Sequence, residues 1–146
     1  MTPGDLTLCL PTTWRRLSHL PHGVVVNARA TIVPASGVPP EVVVRCATVD
    51  ADLHAWRAGA IQELSAVLVD LEVEDEDEFR LVGEPVAYHR FAHRLGSADV
   101  LSDQWSWLDD GLGVTLTCSA ARVDYPAYCD VFEAIAETVR IGPRAA

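Results

Sequence analysis

The stretch LSDQWSWLDDGLGVTLTCSA, residues 101–120, decides the fold. Leu101 to Leu108 reads as one strand. Val114, Leu116, Cys118 and Ala120 alternate with Thr115, Thr117 and Ser119 in the next, a period of two in which successive side chains face opposite ways. Between them, Asp109-Asp110-Gly111 carries the Asp-Gly signal of a tight hairpin turn. Two adjacent strands joined by so short a turn are antiparallel.

Working outward, Val86 to Leu95 reads as a strand reaching this pair through a loop over Gly96 to Asp99. Phe79 to Val82 is a short strand before the turn Gly83-Glu84-Pro85. The acidic run Asp70, Glu72, Glu74, Asp75, Glu76, Asp77 and Glu78 matches no calcium loop, which needs oxygen ligands at fixed positions around a glycine. Like charges repel and stay hydrated, so a solvated connection is expected there. Before it, Leu53, Trp56, Ala60, Leu64, Val67, Leu68 and Leu71 recur every three or four residues. That spacing predicts an amphipathic helix of about five turns laid on a sheet, with Asp50 as cap and Asp52 in the first turn.

Earlier still, Val24, Val26, Ala28, Ala30 and Ile32 alternate with polar neighbours as a half-buried strand. Pro34 to Pro40 is a loop, and Glu41 to Ala47 a strand rich in β-branched residues. Leu6 to Leu10 reads as a short strand ended by Pro11, with Trp14 anchoring the amino-terminal segment to the core. At the other end, Asp124 caps a helix whose stripe is Tyr128, Val131, Phe132, Ile135 and Val139. The expectation is one α+β domain over residues 1–146: an antiparallel sheet of about six strands sandwiched by helices.

Composition excludes several function classes. The 146 residues fit one domain, and 49% hydrophobic with 22% charged residues is globular. Acidic residues outnumber basic ones 21 to 11, for a net charge of −10, and every basic residue is arginine. Such a surface repels phosphate, so neither nucleic acid nor anionic lipid is an expected partner. The amino terminus lacks a cationic stretch followed by an apolar run, and Gly23 to Val33 is too short to span a bilayer. A cytoplasmic protein without membrane insertion is expected. Cys9, Cys46, Cys118 and Cys129 form no C-x-x-C pair and read as buried thiols.

Few residues point to chemistry. His89 and His93 lie on a strand, where four residues separate them by roughly 13 Å, too far to share one ion. Gly111-Leu112-Gly113 leads into a strand and offers no helix amides to a phosphate. No metal, cofactor or catalytic residue is expected, and the chain is read as no enzyme; a metal-dependent hydrolase using His89, His93 and the acidic run is the least favoured alternative. Trp105 and Trp107, two apart, share one side of a strand. They either pack beneath a helix or line a groove for an apolar ligand or partner side chain.

Certain phrases resemble a known superfamily. Leu10-Pro11-Thr12-Thr13-Trp14, Glu41-Val42-Val43-Val44, Gly83-Glu84-Pro85-Val86-Ala87 with Arg90, Val114-Thr115-Leu116-Thr117-Cys118, and Phe132 with Ile135 are similar to successive phrases of the PsbP-like α/β/α sandwich. That superfamily includes PsbP, a Ran-binding import factor, LpqN-type lipoproteins and Eag-type secretion chaperones. The resemblance implies a binding protein, adaptor or chaperone that takes an apolar segment of a partner protein, as a possible homodimer. No functional residue carries over from the superfamily by motif; Trp105, Trp107 and Arg90 are the expected partner-binding residues of this chain. A small-molecule or lipid pocket between sheet and helix is the alternative.

Overall fold

A computed structural model describes residues 6–142; residues 1–5 of the Met1 to Leu20 stretch expected to lack a leader lie outside them. Seven strands form one sheet: β1 (Arg15–Arg16), β2 (Val24–Arg29), β3 (Glu41–Thr48), β4 (Val69–Leu81), β5 (Glu84–Leu95), β6 (Ala98–Asp109) and β7 (Leu112–Ala121). Two helices complete it, α1 (Leu53–Val67) and α2 (Tyr125–Thr138). The strand order is β1-β2-β3-β7-β6-β5-β4, antiparallel at every junction. The expected α+β class holds, with one more strand than expected.

The β6–β7 hairpin forms as read. Asp109 pairs with Leu112 across Asp110-Gly111, both of positive φ (48° and 78°), the twist a two-residue turn needs. Register then decides burial. On one face Trp105 lies opposite Leu116, Trp107 opposite Val114 and Asp103 opposite Cys118, continuing to Val44 and Val42 on β3. Helix α2 covers this face with Phe132, Ile135 and Ala136, followed by Val139 just past its end, and Trp14 packs against the same cluster from the amino-terminal segment. Each of the larger side chains contributes about 1.5–3 kcal/mol by leaving water. Pro126 in the first turn suits the start of α2; Asp124 stands at its cap position but accepts from Ser36 Oγ instead of a helix amide.

The opposite face is different in kind. There β6 presents Ser102, Gln104 and Ser106, and β7 presents Thr115, Thr117 and Ser119. Helix α1 lies across this face, seated by Trp56 against Gly113, where a Cβ would stand 2.7 Å from the indole ring. The missing side chain is what lets helix and strand meet so closely.

Four expectations are corrected. The acidic run is no solvated connection: it is the body of edge strand β4, paired with β5 from Val69 opposite Arg94 to Leu81 opposite Glu84. Its carboxylates stay hydrated at the edge, where charge also blocks pairing with another sheet. Cations anchor them; Arg122 bridges Glu74 and Asp99. Helix α1 stops at Val67, so Leu68 and Leu71 belong to the link and β4, and its cap is Asp52, whose carboxylate accepts from Ala55 N at 2.7 Å. The expected strand at Leu6 to Leu10 shrinks to one bridge, Thr7 with Arg140. Of the cysteines only Cys118 is buried; Cys9 is exposed and the other two are half-buried.

Candidate functional site

Helix α2 spans β7 and β6 but leaves the outer strands β5 and β4 uncovered on its own face. The result is a cleft of about 550 Å³ between α2 and that end of the sheet. Strand alternation builds its floor: Phe79 and Leu81 from β4, Tyr88 and Arg90 from β5, and Trp105 from β6 all point the same way. Its rim is acidic, with Asp75 and Asp77 on β4 facing Glu133 and Glu137 on α2.

The two tryptophans belong to the core. Trp105 is 3% and Trp107 5% exposed. Trp105 packs on Tyr88 with ring centroids 5.4 Å apart, and its edge reaches the cleft. Trp107 borders a smaller hollow of about 260 Å³ beyond Leu81, closed by Val139 and Ile141. Arg90 sits half-exposed in the cleft, the only cation lining it among the described residues. Structure thus brings Trp105 and Arg90 to one site and sends Trp107 to its neighbour.

At the inner end of the cleft lies Asp103, a carboxylate 1% exposed. It accepts from Tyr88 Oη at 2.5 Å and from Tyr125 Oη at 2.8 Å. Burial raises its pKa, against the hydrogen bonds from both tyrosines and the charge of Arg90, which act to lower it. Burial and the same carboxylate push both phenols well up, so neither ionises at neutral pH. The network ties β5, β6 and α2 together at one point and fixes the floor. Sequence reasoning missed Asp103 because it lies between residues read as an ordinary strand; its signal was a carboxylate on the tryptophan side of that strand.

His89 and His93 share the α1 face of β5. His89 is buried, with Nε2 3.5 Å from Glu76, and burial followed by the charge of Arg57 lowers its pKa. Among the described residues no three His, Cys, Asp or Glu side chains gather to hold a metal ion, and no helix is long and apolar enough to cross a membrane.

No protein-family profile matches the chain, and no curated protein is significantly similar in sequence. Solved structures do match. LpqN of Mycobacterium tuberculosis, involved in cell envelope biogenesis, superposes with a TM-score of 0.71 at 19% identity, covering 94% of this chain and 83% of its own. Protein PA94 of Pseudomonas aeruginosa, of unknown function, gives 0.68 at 15% identity over 98% and 100%. Cyanobacterial PsbP of Synechocystis sp. PCC 6803 gives 0.66 at 14% over 94% and 93%. At these identities the likeness is one of architecture. Seven antiparallel strands and two helices, matched over 83% of LpqN and 93% of cyanobacterial PsbP, give this chain the PsbP-like fold.

Proposed function

We infer that the chain is a non-catalytic binding module, an adaptor or chaperone, whose α2 cleft takes a segment of a partner protein. One observation carries this reading: an aromatic and aliphatic floor, Phe79, Leu81, Tyr88 and the edge of Trp105, framed by four carboxylates. Apolar floors supply affinity, and charge at the rim selects and steers the partner. The complementary occupant is an apolar segment flanked by lysine or arginine, and a net charge of −10 favours its approach.

Because Trp105 and Trp107 are core residues, truncating them would unfold the protein and test nothing about binding. The experiment places a photo-crosslinking amino acid at Glu133, on the rim, and at Thr31, on an exposed loop outside the cleft. Crosslinking in the native host, with mass spectrometry of the captured segment, is followed by binding of the synthetic peptide. The expected result is one segment with basic flanks, captured at Glu133 alone and bound at least tenfold more weakly by the Asp77→Lys, Glu133→Lys double variant. A peptide that binds that variant normally sinks the cleft assignment. A small molecule co-purifying in the cleft, which at about 550 Å³ has the volume of a ligand pocket, favours the alternative reading.

A further inference from the structure

On the opposite face, the first turns of α1 and strands β4 and β5 enclose a second cavity of about 210 Å³. Arg57 and His89 form its inner wall and Ala58 and Ala87 its apolar sides, with Glu76, Asp77 and Glu78 of β4 and His54 of α1 completing it toward the mouth. It shares no helix with the α2 cleft, though Asp77 of β4 borders both, and the inference drawn from it does not rest on the reading given for that cleft.

Arg57 is the anomaly. Its side chain is 4% exposed, yet no carboxylate oxygen of the described residues lies within 4.0 Å of the guanidinium. One nitrogen donates to Gln104 Oε1, itself held by donating to Thr117 Oγ1 at 3.0 Å, and the group rests 4.7 Å from the Trp56 ring centroid. Nε has no partner. His89, 7% exposed, likewise leaves Nδ1 without one. Burial lowers the Arg57 pKa only to about 10, so it stays cationic at neutral pH. The glutamates at the mouth do not neutralise it: Glu76 stands 3.5 Å from His89 Nε2, Glu78 3.6 Å from His54 Nδ1, and both are largely exposed.

A buried cation with open hydrogen-bonding capacity, beside a cavity, is a receptor for the charge the chain does not supply. We propose that this cavity binds a small carboxylate monoanion, its oxygens accepting from Arg57 and its short aliphatic part lying between Ala58 and Ala87. The volume sets the size, since a cavity of about 150 Å³ takes benzene. The two glutamates set the charge, because a dianion meets their field at the mouth.

The test uses the ¹⁵N-labelled protein and sodium propionate, with sodium chloride at matched ionic strength and sodium phosphate as comparisons. The expected result is a saturable millimolar shift of the Arg57 Nε–H and of the Ala58 and Ala87 amides with propionate alone, absent from Arg57→Met. Should Arg57→Met not fold, Ala58→Leu, which fills the cavity from an exposed helix position, is expected to abolish the shift. No saturable shift, or an equal one in either variant, overturns the site. Saturation by phosphate as readily as by propionate overturns its restriction to monoanionic carboxylates.

Discussion

The two faces of the sheet are built from the same strands and solve burial in opposite ways. Beneath α2, Val42, Val44, Val114, Leu116, Trp105 and Phe132 make an apolar cluster beside which Asp103 is the one buried carboxylate among the described residues. Beneath α1, Ser102, Gln104, Ser106, Thr115, Arg57 and His89 are buried just as deeply. An apolar face is held by volume and contact, so it resists truncation poorly and leaves little unsatisfied. A polar face is held by hydrogen-bond pairing, and any pair left incomplete is a cost that a ligand or water can remove. Stability therefore belongs mainly to the α2 side and unmet hydrogen-bonding capacity to the α1 side.

The largest expected effect tests that division. Phe132 is fully buried, stacked 6.2 Å from Tyr128 and tilted 6.3 Å from Tyr125. Phe132→Ala should cost about 3–5 kcal/mol, read as a lower urea midpoint at unchanged slope. Leu64→Ala on the half-buried stripe of α1 should cost well under half of that. Equal losses would mean that both helices carry the core alike and would erase the contrast.

How much of this was legible follows the same division. The α2 side could be read from the sequence because its side chains keep strict periods: two along β7, three and four along α2, with Asp110-Gly111 marking the turn. The α1 side could not, because Ser102, Gln104 and Ser106 on β6 and Thr115, Thr117 and Ser119 on β7 are side chains that a sheet ordinarily turns to solvent. Strand β4 was hidden by its charge, although Val69, Leu71 and Val73, then Phe79 and Leu81, keep a period of two at its ends. The overlong helix had a related cause, since Leu68 and Leu71 continue the helical spacing past the true end. Arg57 did leave a trace: it holds the fifth place of a stripe beginning at Leu53, where an apolar residue belongs.

A middle-sized effect concerns the charge on the apolar side. Burial raises the Asp103 pKa above its ordinary 3.8, so the native state holds that proton more tightly than the unfolded chain does. Its contribution is complete below 3.8 and is lost as pH rises through the native value. The stability advantage of the natural protein over Asp103→Asn should accordingly shrink from acid to neutral pH, then level off. Urea midpoints of both proteins across that range check it. An advantage that grows with pH would show that Tyr88, Tyr125 and Arg90 outweigh burial, and that the carboxylate is as well satisfied as any pair on the other face.

The smallest effect is the sharpest test of the polar side. Ser106 is fully buried between Ala87 and Thr115 in the register, and its hydroxyl oxygen has no hydrogen-bond partner among the described residues. An orphaned hydroxyl costs about 1–3 kcal/mol of desolvation, while the volume removed by Ser106→Ala is one oxygen atom. The substitution should therefore leave stability unchanged or raise it by about 1 kcal/mol, the reverse of any truncation beneath α2. Its neighbour Ala87 borders the Arg57 cavity, so the measurement also reports on that space. A clear loss of stability would mean that the hydroxyl has a partner in solution, and the polar face would then be a completed network with no capacity left to offer.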